Sequence, residues 1–106
     1  MLVGVYGSLK KGFYNHCVMV AAGATFVEHR ELTGYRLYSL GAFPALLEGE
    51  GRVHLEVYEV ENIEPLDILE GHPTFYKREM INGVWVYIYQ DTVDEASYIR
   101  SGVWSE

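Results

Sequence analysis

Apolar residues fall in short runs broken by glycine, and the runs predict short strands with two helices between them. Residues 2–6 form an apolar run that reads as a buried first strand, ended by Gly7. Asn15 stands where a cap would precede a short helix over residues 16–22, with Gly23 as its stop. Cys17, Val18, Ala21 and Ala22 would form the buried side of that helix. Residues 25–40 read as extended structure, with Gly34 between two segments of strand composition. Residues 40–51, punctuated by glycine and proline, read as a connection. Residues 53–60 alternate as a strand should, with Val53, Leu55 and Val57 on one face and His54, Glu56 and Tyr58 on the other. A second helix is predicted over residues 62–70, with Pro65 in its first turn and Gly71 just past its end.

The Asn82-Gly83 pair between residues 76–81 and 84–90 predicts a tight two-residue hairpin. Its register opposes Ile81 to Val84, Met80 to Trp85, Arg78 to Tyr87 and Tyr76 to Tyr89. One face then carries Tyr76, Arg78, Met80, Trp85, Tyr87 and Tyr89, and the other carries Ile81, Val84, Val86 and Ile88. Neither is a plain solvent face, which suits a sheet curled on itself or covered by helices.

Composition narrows the function classes. A chain of 106 residues, 49% apolar and 14% aromatic, is expected to form one domain with one modest core. The net charge of −7 argues against nucleic-acid or anionic-membrane binding, which need a basic face. No apolar run approaches membrane-spanning length, and the N-terminus shows no signal-peptide pattern. Cys17 is the single cysteine, so a reducing, cytoplasmic setting is expected. The four histidines (His16, His29, His54, His72) have no metal-ligand spacing, so no metal is expected, and without a dinucleotide fingerprint no cofactor is expected either. Cys17 reads as a small buried thiol rather than a nucleophile.

Two stretches carry candidate chemistry. "VYGSLKKG", residues 5–12, leaves the first strand on Gly7 but lacks the spacing of a phosphate-binding loop. It reads either as a plain strand exit or as a turn whose outward N–H groups hold a carboxylate or oxyanion. Glu70 lies at the margin of the apolar side of the second helix, set by Ile63, Leu66 and Leu69. The last-turn dipole, the neighbouring Asp67 charge and partial burial would each raise its pKa. It is either an acid/base candidate or a partly exposed helix-end glutamate with no role. Arg78 beside Tyr87 suggests a cation–π pair.

Taken together, the motifs resemble the γ-glutamylcyclotransferase-like family, most closely its γ-glutamylamine cyclotransferase branch and the small bacterial and phage-type relatives. "VYGSLKKG" followed by "YNH" resembles the family's opening signature. "FPAL" at residues 43–46 resembles its Tyr-Pro-Ala element, and "VHLEVYEV" at 53–60 its Val-x-Gly-Glu-Val-Tyr-x-Val strand. "LDILEGHPTFYKREMI" at 66–81, "VWVYIY" at 84–89 and "IRSGVW" at 99–104 match later segments in order. The resemblance spans nearly the whole chain.

It implies an α+β fold, a small closed or partly closed mixed β-barrel with short flanking helices. It also implies a reaction on a small γ-glutamyl compound: the α-amine attacks its own γ-carbonyl, releasing 5-oxoproline and a free amine. Glu70 would be the catalytic acid/base, and Tyr6, Gly7, Ser8 and Leu9 the substrate loop. Tyr87, or else Tyr76, would hydrogen-bond Glu70 or the substrate. Lys10 and Lys11 would be rim charges. Leu55 departs from the pattern by replacing a glycine, which would narrow the pocket and favours the alternative of a silent relative that binds a small ligand or protein.

Overall fold

The computed structural model describes residues 1–105. Five strands form one sheet: β1 (Leu2–Val5), β2 (Thr25–Ser39), β3 (Pro44–Glu59), β4 (Tyr76–Ile81) and β5 (Val84–Tyr89). Two short helices, α1 (His16–Ala21) and α2 (Glu64–Glu70), and a 3-10 turn at Glu95–Ser97 complete it. The spatial order is β2-β3-β1-β5-β4, with β1 antiparallel to β3 and parallel to β5. The sheet is therefore mixed and does not close into a barrel, since β2 and β4 remain its edges. It curls enough for Arg30 on β2 to donate to the carbonyl of Asn82 in the β4–β5 turn, at 3.0 Å. No helix among the described residues is long and apolar enough to cross a membrane.

The hairpin has the expected register, with all four predicted pairs opposed. Asn82 and Gly83 take φ of 51° and 85°, the left-handed pair a twisted two-residue turn requires. Its two faces fill two cores. Val84, Val86 and Ile88 pack with Val53, Leu55 and Val57, which are all fully buried. Tyr76 and Tyr87 pack on the opposite side with Val3, Val5, Met19 and Leu66, beneath the two helices.

Four local readings differ. Residues 44–51 belong to a strand rather than a connection, because β3 pairs with β2 from Ser39↔Pro44 onward. The glycines there serve a close approach: a Cβ on Gly49 or Gly51 would lie 3.1 or 3.0 Å from the Arg36 side chain. That arginine crosses over them, donating to the Glu50 carbonyl (2.8 Å) and to Glu95 (2.9 Å). Met19 is the buried residue of α1, with Val18 half-buried and Ala22 buried just past its end, which leaves Cys17 and Ala21 exposed. Asn15 precedes α1 but makes no side-chain cap bond. The second helix starts two residues later than expected, at Glu64, after the Asn62 side chain accepts the Glu64 N–H.

Candidate active site

The end of α2 is fixed on both sides of Glu70. Leu66, one turn back, is fully buried against the β1–β5 face. Gly71 then takes φ 65°, a left-handed stop that favours glycine and ends the helix on the glutamate. Glu70 faces a cavity of about 260 Å³. Tyr6 at the exit of β1, the loop residues Gly7, Ser8 and Leu9, Tyr76 of β4 and Tyr87 of β5 line the same cavity. Residues some sixty positions apart in sequence thus share one space.

The loop after β1 is held by its carbonyls. The Gly7 carbonyl accepts from Lys10 N–H (3.0 Å) and the Ser8 carbonyl from Asn15 N–H (2.9 Å). The Leu9 carbonyl bonds His16 Nδ1 (2.8 Å), and Asn15 Nδ2 donates to Ser8 Oγ (2.9 Å). Asn15 therefore braces the loop instead of capping the helix. None of the backbone N–H groups of Gly7, Ser8 and Leu9 is engaged by a described residue. Successive backbone donors without a described partner are the kind of group that can bind an anion. Gly7 is needed for contact rather than for an unusual φ: a Cβ there would lie 2.7 Å from the Pro44 ring.

Burial raises the Glu70 carboxyl from its ordinary value to about 7. The direction is the one expected, but the neighbouring charge of Asp67 is not its source. Burial alone would raise Asp67, yet hydrogen bonds from Arg78 and Tyr87 outweigh it and hold that carboxyl low. Arg78 Nε donates to Asp67 Oδ1 at 2.9 Å, and the Tyr87 hydroxyl donates to the same oxygen at 2.7 Å. The arginine lies over Trp85 (4.8 Å), not over Tyr87 as the register suggested.

No described side chain hydrogen-bonds the Glu70 carboxyl, so of the two partners expected for Tyr87 or Tyr76 the glutamate is not one. Tyr87 is held by Asp67. Tyr76 donates to the Pro44 carbonyl at 2.6 Å, and Tyr6 to the Tyr87 carbonyl at 2.6 Å. Burial pushes all three phenols upward, followed by the nearby Glu70 charge for Tyr6 and Tyr76 and by the bond to Asp67 for Tyr87. They stay neutral, and each has its one hydrogen committed, so towards a ligand these oxygens can only accept. A cavity with three acceptor phenols, one carboxyl near neutrality and three free N–H groups can receive an amine and an oxyanion together.

Other expectations are corrected here. Lys10 is no rim charge: it is 4% exposed, its Nζ donates to the Trp104 carbonyl (2.8 Å) and burial lowers its pKa. Lys11 is exposed. Leu55 does not narrow the cavity; it is buried in the opposite core, where its Cδ1 occupies the space beside Gly4. Sequence reasoning gave no site role to Phe43, Pro44, Leu69 and Phe75, which also line the cavity. The signal for two of them was the "FPAL" motif, read only as resemblance. It also missed that His29 and His54 meet across β2 and β3, with ring nitrogens 3.1 Å apart. Among the described residues no group of three or more side chains could hold a metal ion.

Comparison with known proteins places this geometry. Residues 3–106 match the family model described as "Gamma-glutamyl cyclotransferase, AIG2-like". A Vibrio cholerae protein, named provisionally as a γ-glutamylcyclotransferase, is 42% identical over 99% of this chain and 96% of its own. The γ-glutamylcyclotransferase family protein YtfP of Escherichia coli is 36% identical over 98% and 96%. Its solution structure superposes with a TM-score of 0.77. The crystal structure of a mouse AIG2-like protein, 25% identical, superposes at 0.78 over 98% of this chain and 87% of its own. The chain belongs to the AIG2-like γ-glutamyl cyclotransferase family of enzymes.

Proposed function

We propose that the protein cyclises a small γ-glutamyl amide, releasing 5-oxoproline and the free amine, with Glu70 as the single acid/base. The observation that carries this reading is the Glu70 carboxyl, raised to about 7 and unpartnered, in one cavity with the open N–H groups of Gly7, Ser8 and Leu9. At neutral pH such a carboxyl is populated in both forms, as a group that must accept and then return a proton should be.

The substrate's α-ammonium first loses a proton to solvent. The neutral amine then attacks the γ-carbon, and Glu70 takes a proton from that nitrogen as the new C–N bond forms. The same proton passes to the departing nitrogen as the amide C–N bond breaks, and the freed amine takes up one from solvent. The loop N–H groups stabilise the carbonyl oxygen as it becomes an oxyanion, or hold the substrate carboxylate. A phenolic oxygen of Tyr6 or Tyr76 accepts the amine hydrogen that does not pass to Glu70. Attack within one molecule to close a five-membered ring asks the enzyme chiefly to hold the folded conformer. Leu55, the residue that favoured a silent binding module, lies outside the cavity and gives that alternative no support.

The test is incubation with γ-glutamyl amides and measurement of both products. Equimolar 5-oxoproline and amine are expected. Release of glutamate in place of 5-oxoproline would show simple hydrolysis and contradict the reading.

A further inference from the structure

The cavity does not end at Glu70. Ser8, Asn15 and Phe43 line it, and the same three residues line a second, more open depression of about 580 Å³. Tyr14, Ala42 and Trp104 help to form the far side of that depression. The two spaces share a wall and make one groove, with Phe43 at the junction. Around the mouth, Phe43, Leu69 and Phe75 keep 37%, 41% and 48% of their surface exposed, and the two phenylalanine rings meet edge to face at 6.0 Å.

Among the described residues that line the two spaces, Glu70 is the one carboxyl. No other described residue lining either part carries a formal charge at neutral pH. Lys10, next to the loop that lines the cavity, is committed elsewhere: its Nζ donates to the Trp104 carbonyl and lies over the Phe13 ring. An ammonium or carboxylate on the departing half of a substrate would leave water and meet no opposite charge there. An apolar group would lose water-exposed surface and cover that of Phe43.

Resting on the cyclotransferase reading above, we propose that the substrate's amide nitrogen carries an uncharged, apolar substituent, aromatic or branched alkyl. It lies on Phe43 and extends between Tyr14, Ala42 and Trp104, while the glutamyl half occupies the Glu70 cavity. The released product is then a hydrophobic primary amine rather than an amino acid or a diamine.

The experiment compares kcat/KM for four γ-glutamyl amides: of methylamine, phenethylamine, glycine and 1,4-diaminobutane. Removing a phenyl group from water favours binding by about tenfold or more. The phenethylamide is therefore expected to exceed the other three by at least about tenfold. Ala42→Asp, at an exposed position, is expected to narrow that lead over the diaminobutane amide by about tenfold or more, since it places an anion in the groove. Values equal within about twofold across the panel, or a lead for either charged amide in the unmodified protein, overturn this inference while 5-oxoproline release leaves the cyclotransferase reading standing. Absence of 5-oxoproline from all four removes both.

Discussion

The Tyr87 hydroxyl donates to Asp67 at 2.7 Å and makes no bond to Glu70. Tyr87 and Asp67, with Arg78, tie α2 to the hairpin behind the glutamate. This leaves the Glu70 carboxyl raised by burial alone, with nothing in the described protein donating to it.

Tyr87→Phe tests that separation. The change removes one hydrogen bond from a carboxylate that keeps Arg78, so a stability loss of about 1–2 kcal/mol is expected in urea unfolding. The kinetic pKa of the Glu70 step should stay within about half a unit of the unmodified protein. A shift of about one unit or more would mean that the phenol acts on Glu70 directly.

Glu70→Gln should stabilise the fold, and only at the alkaline side. The native carboxyl titrates near 7, above its ordinary 4.5. Between those values the native state holds more protons than the unfolded chain, so unfolding free energy falls as pH rises through the window. The total is on the order of 3 kcal/mol as an upper bound. Denaturant unfolding of both proteins at pH 4 and pH 8 should show the variant gaining about 1–3 kcal/mol on the parent between the two. An unchanged difference would mean that Glu70 is not held out of water.

Gly7→Ala probes the contact between the loop and Pro44. The added methyl would lie 2.7 Å from the proline ring, too close for either to remain in place. A loss of about 1–3 kcal/mol is expected from overpacking. Activity should fall more than stability predicts, because the three N–H donors move with the loop. Full activity in a folded variant would remove the loop from the chemistry.

The parts of this arrangement legible in sequence are those with local causes. Asn82-Gly83 fixed the hairpin register, and Pro65 with Gly71 bounded α2 closely enough to put Glu70 at its end. The start of β3 was hidden because Gly49 and Gly51 look like breakers until Arg36 is seen crossing them. Lys10 looked like a surface charge until its burial beneath the C-terminal segment, ninety-four residues away, was visible. The raised Glu70 carboxyl was expected in direction, and of the three causes named for it burial is the one that acts, while the Asp67 charge is not. Asp67 turns to Arg78, a partner eleven residues later whose side chain no periodicity could orient. Long-range packing, rather than propensity, decided each of these.

The central claim is that Glu70 carries the proton, and one comparison addresses it most directly. 5-Oxoproline release from a γ-glutamyl amide should be measured at neutral pH for the unmodified protein and for Glu70→Gln, with folding confirmed by circular dichroism. General acid–base catalysis contributes about 10²–10⁴-fold, so the variant is expected to lose at least about a hundredfold in kcat. Retention of kcat within about threefold of the unmodified protein would contradict the account.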